Sequence, residues 1–185
     1  MAAVTPDFNF GFVLKSGNPN LRLFPENSTT QTFNKGSLVK LSSAGLLSDQ
    51  TTEDDTTSTA TISADVWGVA QKDHTSVANS LIPVYVITPE QEWEVHCEKG
   101  IKPNTGAYLD LGDQVKLKYT CAKSYTVSNG VSSNTDNTIG AWVAKNEAAT
   151  AARGATIVAH RRGEEGTKGG RVIIRFTSYI CSAQA

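Results

Sequence analysis

Three histidines, three cysteines and two adjacent carboxylate pairs are the side chains of this 185-residue sequence best suited to chemistry. His74, His96 and His160 are too widely spaced for a recognised metal motif. His96 and Cys97 are neighbours, so any strand carrying them points them to opposite faces. The pairs Asp54-Asp55 and Glu164-Glu165 fall in stretches that read as loops. General acid or base work needs a carboxyl whose surroundings shift its pKa, which a solvated loop does not provide. A glycine-flanked serine elbow, a Cys/His signature and an N-terminal nucleophile are all missing in recognisable form. The glycine-rich run over 163–170 sets Lys168 before Gly169 and leads into a strand-like segment. Phosphate cradles instead open onto a helix N-terminus and carry Gly-Lys-Ser/Thr. Arg161, Arg162 and Arg171 flank this run with no interleaved aromatic side chains to stack on bases. The expectation is a protein that is not an enzyme, with no catalytic residues, no metal, no cofactor and no nucleic-acid partner.

The elements that must position these residues read as strands. Glycine opens an apolar run at Gly36-Ser37-Leu38-Val39-Lys40-Leu41 and again at Gly106-Ala107-Tyr108-Leu109-Asp110-Leu111. A second glycine sits inside a later apolar run in each case, in Val66-Trp67-Gly68-Val69-Ala70 and in Ile139-Gly140-Ala141-Trp142-Val143. A third run follows, Leu81-Ile82-Pro83-Val84-Tyr85-Val86-Ile87 and then Ala155-Thr156-Ile157-Val158-Ala159. This order suggests two similar β units, over 35–100 and 101–180, within a β domain spanning 35–185. Roughly ten strand candidates are bounded by glycine, asparagine or proline, a pattern that favours a barrel or sandwich. One helix of about two turns is expected over 147–153, ended by Gly154.

Net charge is −1 and charged residues are 19% of the chain, so bulk electrostatics predicts neither a nucleic-acid nor a membrane-surface role. Three cysteines without CxxC spacing read as reduced, inert thiols. The first residues lack a basic region and an apolar run of signal-peptide length, and no run approaches the ~18 apolar residues of a membrane span. A soluble protein made in a cytoplasm is expected.

Residues 1–34 read as an extended N-terminal arm. Pro6, Pro19 and Pro25 punctuate it, and proline disfavours helix and blocks ladder hydrogen bonds. Phe8, Phe10, Phe12, Leu21 and Phe24 are strung along it as candidate docking anchors, because so many apolar groups require something to dock on, either a partner or the chain's own core. Removal of the arm is expected to leave a folded core. The stretch 48–65 holds Glu53, Asp54 and Asp55 with no lysine or arginine, and reads as a long acidic loop. Its charge complements Arg161, Arg162 and Arg171, so the two regions are candidate contacts across a subunit boundary.

The sequence Phe33-Asn34-Lys35-Gly36-Ser37-Leu38-Val39-Lys40-Leu41, a turn at Gly45, an acidic threonine-rich loop, Val66-Trp67-Gly68-Val69-Ala70 and then Val84-Tyr85-Val86 resembles the capsid decoration, or head cement, proteins of tailed bacteriophages. The resemblance covers about 33–90, and 100–176 more loosely. It implies a small all-β fold of β-barrel or β-tulip type that binds the exterior of an icosahedral head. There it bridges subunits of the major capsid protein, as a homotrimer, on a virion assembled in the host cytoplasm. The alternative is a glycan- or receptor-binding β module on a virion surface, with Trp67, Trp93 and Trp142 as a sugar platform.

Overall fold

A computed structural model describes residues 11–27, 31, 33–42, 44–49, 66–75, 77–96, 112, 114–121, 140–148, 155–162 and 170–177. The described residues form eleven strands and no helix. In chain order these are β1 (Val13–Ser16), β2 (Asn20–Pro25), β3 (Leu38–Leu41), β4 (Leu47–Asp49), β5 (Val66–Ala70), β6 (Leu81–Val86), β7 (Glu92–His96), β8 (Gln114–Cys121), β9 (Gly140–Ala148), β10 (Ala155–His160) and β11 (Arg171–Phe176). They make a six-stranded sheet ordered β1-β7-β11-β10-β8-β9 and a five-stranded sheet ordered β2-β6-β5-β3-β4. Every strand pairing within the two sheets is antiparallel.

Alternation in sequence becomes alternation of burial, because successive side chains on a strand point to opposite faces. Ile82, Val84 and Val86 of β6 are buried, as are Val172, Ile174 and Phe176 of β11. On β7, Trp93 and Val95 turn inward, while Glu92 and Glu94 lie on the opposite face. The inward faces of both sheets meet in one cluster that includes Leu38, Val69, Trp93, Leu117, Ile157 and Ile174. Trp93 lies at its centre, with ring centroids 5.9 Å from Phe176 and 6.4 Å from Tyr85. The Trp93 Nε1–H has no hydrogen-bond acceptor among the described residues. Packing must therefore offset the cost of desolvating that donor.

The five-stranded sheet carries a second core on its other face. Leu38 and Val69 face the first cluster, while their neighbours Val39 and Ala70 join Phe33, Leu47, Ile82 and Val84 in the second. The sheet curls over this core until β4 meets the chain just beyond β2. There Glu26 and Leu47 form an isolated parallel bridge, and the Asn27 N–H donates to the Leu47 carbonyl at 2.9 Å. Glu26 is fully buried at this seam. Its carboxylate accepts from the Thr75 N–H at 3.0 Å and from the Thr75 hydroxyl at 2.6 Å, which ties the 74–80 connection to the seam.

Two sequence expectations are corrected. Residues 13–25 do not stand off as an arm: β1 pairs with β7, and β2 pairs with β6 along its whole length. Gly17 and Pro19 shape the connection between the two strands rather than preventing them. Glu147 and Ala148, the first two positions of the expected helix, belong instead to β9, where Ala148 pairs with Val115, and 149–153 lie outside the described residues. The two inner glycines of the apparent repeat both lie in strands. Gly68 is mid-strand in β5, at the centre of one sheet, whereas Gly140 begins β9 at the edge of the other.

Pro83 sits within β6, a strand with neighbours on both sides. The Pro83 carbonyl accepts from the Gln71 N–H at 2.8 Å, on the β5 side and beyond the β5 ladder. Because N–H and C=O of one strand residue point the same way, the N–H that proline lacks is missing on that side. The ladder to β2 loses nothing.

Gly68 is required by a close approach: a Cβ there would overlap the carbonyl oxygen of Tyr85 and Cγ1 of Val84. Gly68→Ala is expected to cost about 1–3 kcal/mol of stability through overpacking against backbone that cannot give way. Urea denaturation compared with the unaltered protein measures this.

Candidate functional site

The most conspicuous surface feature is an apolar ledge on β2 and β6. Leu21, Leu23 and Pro25 alternate onto one face of β2 and lie directly opposite Tyr85, Pro83 and Leu81 of β6. Residues directly opposite in an antiparallel pair share a face, so the six form one continuous strip. Tyr85 tucks under the six-stranded sheet against the first core cluster. Beyond it the covering sheet ends, and Leu21, Leu23 and Leu81 remain 55%, 60% and 56% exposed. Single exposed leucines are ordinary, but three clustered at the edge of a sheet, two of them on its end strand, mark an interaction surface or an aggregation hazard.

The proposed anchors divide. Phe12 is buried in the chain's own core, with its ring centroid 5.1 Å from that of Phe176. The adjacent Gly11, at φ +142°, crosses tightly over Gly36, and the Phe12 N–H donates to the Gly36 carbonyl at 2.8 Å. That crossing directs the Phe12 ring inward. Phe24 is half-buried against the second core, while Leu21 is presented outward. Phe8 and Phe10 lie outside the described residues. Leu23 and Leu81 were not among the proposed anchors, although the i, i+2 spacing of Leu21 and Leu23 was the available signal.

A second surface, the outer face of the six-stranded sheet, is charged. Glu94 is nearly buried and receives three cations: Lys15 at 3.2 Å, Arg161 at 2.9 Å and Arg171 at 3.5 Å. The sequence reading sought counter-charges for Arg161 and Arg171 across a subunit boundary. Both have one in their own chain, because β7 lies beside β11, Glu94 is opposite Ile173 two residues from Arg171, and the Arg161 N–H donates to the Arg171 carbonyl. Arg162 is exposed, and Glu53, Asp54 and Asp55 lie outside the described residues. The signal for Glu94 was the alternation Glu92-Trp93-Glu94-Val95, which puts two carboxylates on the face away from the core.

Glu92 continues the network by accepting from the Ser16 hydroxyl at 2.8 Å and from Arg175 Nη2 at 2.6 Å. The hydrogen bond from Ser16, followed by that from Arg175, holds the Glu92 carboxyl below its ordinary value of 4.5. Together these contacts tie β1 to β7 and to the β10–β11 hairpin. A cavity of about 190 Å³ lies at the Glu94 cluster, lined by Lys15, Glu94, His96, Arg161 and Arg171 among others. Among the described residues no three His, Cys, Asp or Glu side chains converge as a metal site. Trp93 is fully buried and so is no part of a sugar platform.

Two outcomes follow from the charged face. Glu94→Gln leaves Lys15, Arg161 and Arg171 facing one another across a small cavity. The expected loss is about 1–3 kcal/mol in urea denaturation, partly recovered by added salt. For Glu92, folding favours the ionised form. That stabilisation is fully present above the ordinary carboxylate value and is lost as pH falls through the lower folded value. Ser16→Ala removes the largest cause, so the Glu92 titration followed by carbon NMR of its carboxyl should move up toward the ordinary value.

No known protein family, curated protein or solved structure matches this chain.

Proposed function

We propose that the protein is a structural component of a virus particle that decorates the exterior of a tailed-phage head and bridges subunits of the major capsid protein. The ledge on β2 and β6 is its docking face. The observation that carries this reading is the cluster of three leucines, each more than half exposed, two on the end strand β2 and one on its neighbour β6. The resemblance of 33–90 to head cement proteins supplies the class of partner. In this reading the curled five-stranded sheet is the barrel-like body of such a protein.

Magnitude constrains how the ledge would work. Covering the exposed remainder of each leucine contributes roughly 1–1.5 kcal/mol, so about 3–5 kcal/mol for all three. Micromolar binding needs about 8 kcal/mol, and association itself carries an entropic cost. One ledge is therefore a weak anchor. Several ledges on one assembly, each opposite an equivalent site of a repeating lattice, reach useful occupancy through effective concentration. A homotrimer seated where capsid subunits meet fits that requirement.

Deleting the N-terminal region is a poor test, because it would remove a strand from each sheet. The double variant Leu21→Ser/Leu23→Ser leaves both cores intact and is expected to alter stability little, as exposed positions usually do. Co-sedimentation with purified heads of the source phage should show the unaltered protein pelleting with capsids. The double variant should bind about 30–100-fold more weakly, corresponding to a loss of about 2–3 kcal/mol. Unchanged binding by the variant, or no binding by the unaltered protein, would overturn the reading.

A further inference from the structure

We propose, building on the reading of β2 as the docking face, that the ledge receives its partner by strand addition. The partner is an extended segment of another protein with the pattern apolar–acidic–apolar. The argument begins with the direction of the β2 backbone. The Glu26 N–H donates to Ser80 and the Glu26 carbonyl accepts from Asn79, so the main chain of Glu26 faces the β6 side. The register from Asn20 to Pro25 runs without a shift. Alternation then turns Phe24 and Arg22 toward β6 as well, and turns Leu23 and Leu21 to the opposite edge. Two neighbours agree with this assignment. Asn27, of the same parity as Leu23, donates outward to Leu47. Leu23 lies opposite Pro83, which has no N–H to exchange with it.

The outward edge is bounded. Pro19 and Pro25 have the same parity as Leu21 and Leu23 and present no N–H there. What remains is a window of two donors, the N–H groups of Leu21 and Leu23, with their carbonyls beside them. An antiparallel segment laid on this window exchanges a hydrogen-bonded pair at each leucine. Its side chains opposite Leu21 and Leu23 fall on the ledge face and should be apolar. Its central residue falls opposite Arg22, whose side chain is exposed on the other face. Opposite charges directly across a strand pair are favourable, so that residue should be acidic.

The same geometry disfavours a second copy of this chain as the occupant. The register that uses both donors of both copies pairs Leu21 with Leu23 of the other copy and sets Arg22 against Arg22. Shifting by two residues avoids that repulsion but places a proline opposite a leucine and forfeits bonds. The flanking prolines confine pairing to a short segment, which also limits edge-to-edge aggregation.

The test is an amide NMR titration of the whole protein with two capped peptides, Thr-Val-Glu-Val-Thr and Thr-Val-Lys-Val-Thr, taken to millimolar concentration. The glutamate peptide is expected to shift the amide resonances of Leu21 and Leu23 most. The lysine peptide should bind about threefold or more weakly at low salt, with the difference narrowing as salt is raised. Leu23→Pro removes one outward donor and no inward bond, and should abolish peptide binding, while Leu23→Ala keeps the donor and part of the affinity. If Leu23→Pro does not fold, the shift map on the unaltered protein decides. The proposal is overturned by an absence of shifts at Leu21 and Leu23, by equal affinity for the two peptides, or by undiminished binding to folded Leu23→Pro. It is equally overturned if the protein alone forms a dimer that Leu23→Pro dissociates. A protein that takes the glutamate peptide but leaves heads undecorated keeps this site and sinks the capsid reading. Heads bound equally by Leu23→Pro and the unaltered protein do the reverse.

Discussion

Both sheets meet on Trp93, and most of the described structure depends on that meeting. The indole is fully buried between Phe176 of its own sheet and Tyr85 of the other, while Phe12 reaches the same cluster from the N-terminal segment. Neither sheet could stand alone with this face wet, since apolar surface of such extent must be removed from water. The curled sheet solves half of its problem by closing over a second core at the Glu26–Leu47 seam. The six-stranded sheet has only the shared interface for its inward face. The glycine demanded at Gly68 belongs to the curled sheet itself, where a Cβ would meet the Tyr85 carbonyl of β6 and Val84 of the second core.

Strand β7 serves both faces of its sheet at once. Its odd-numbered residues Trp93 and Val95 build the interface, and its even-numbered Glu92 and Glu94 collect cations from β1, β11 and the end of β10. The ion pairs are partly exposed, so their number matters less than their placement. They fasten the end strand β1 to a hairpin that lies beyond β7 in the sheet order. The segment from Phe12 to Ser16 is thus held by an apolar contact below the sheet and by charge above it.

Much of this was legible in the sequence, because period-two alternation is a direct record of which side of a strand faces water. The strands with hydrophobic alternation, such as Leu81–Val86 and Arg171–Phe176, are among the easiest to read. The all-β class follows from them and from the glycine and asparagine turns. Residues 13–25 were harder. Prolines that read as obstacles to pairing fall on the outward edge or in the connection, where no ladder bond is lost. That distinction depends on parity relative to a partner more than fifty residues away. Leu21 and Phe12 were equally apolar in sequence, yet one is exposed and the other buried. The difference arises at the Gly11–Gly36 crossing, a tertiary contact with no local signature. The counter-charge of Arg161 and Arg171 was hidden for the same reason, since β7 and β11 become neighbours only in the assembled sheet.

The pairing of β1 with β7 and of β2 with β6 has a consequence for the order of events during synthesis. Ser16 and Glu92 hydrogen-bond across 76 residues, so the first two strands leave the ribosome long before their partners exist. At translation rates of about 5–20 residues per second, this interval lasts roughly 4–15 s. Loop closure over such a span is also slow compared with forming a hairpin. Through that time Leu21, Leu23 and Phe24 travel unpaired on a nascent chain, and the two prolines that flank them are already in place to deny a neighbouring chain a long strand to copy. The same short window that would limit what the finished protein can bind therefore also protects it while it is being made.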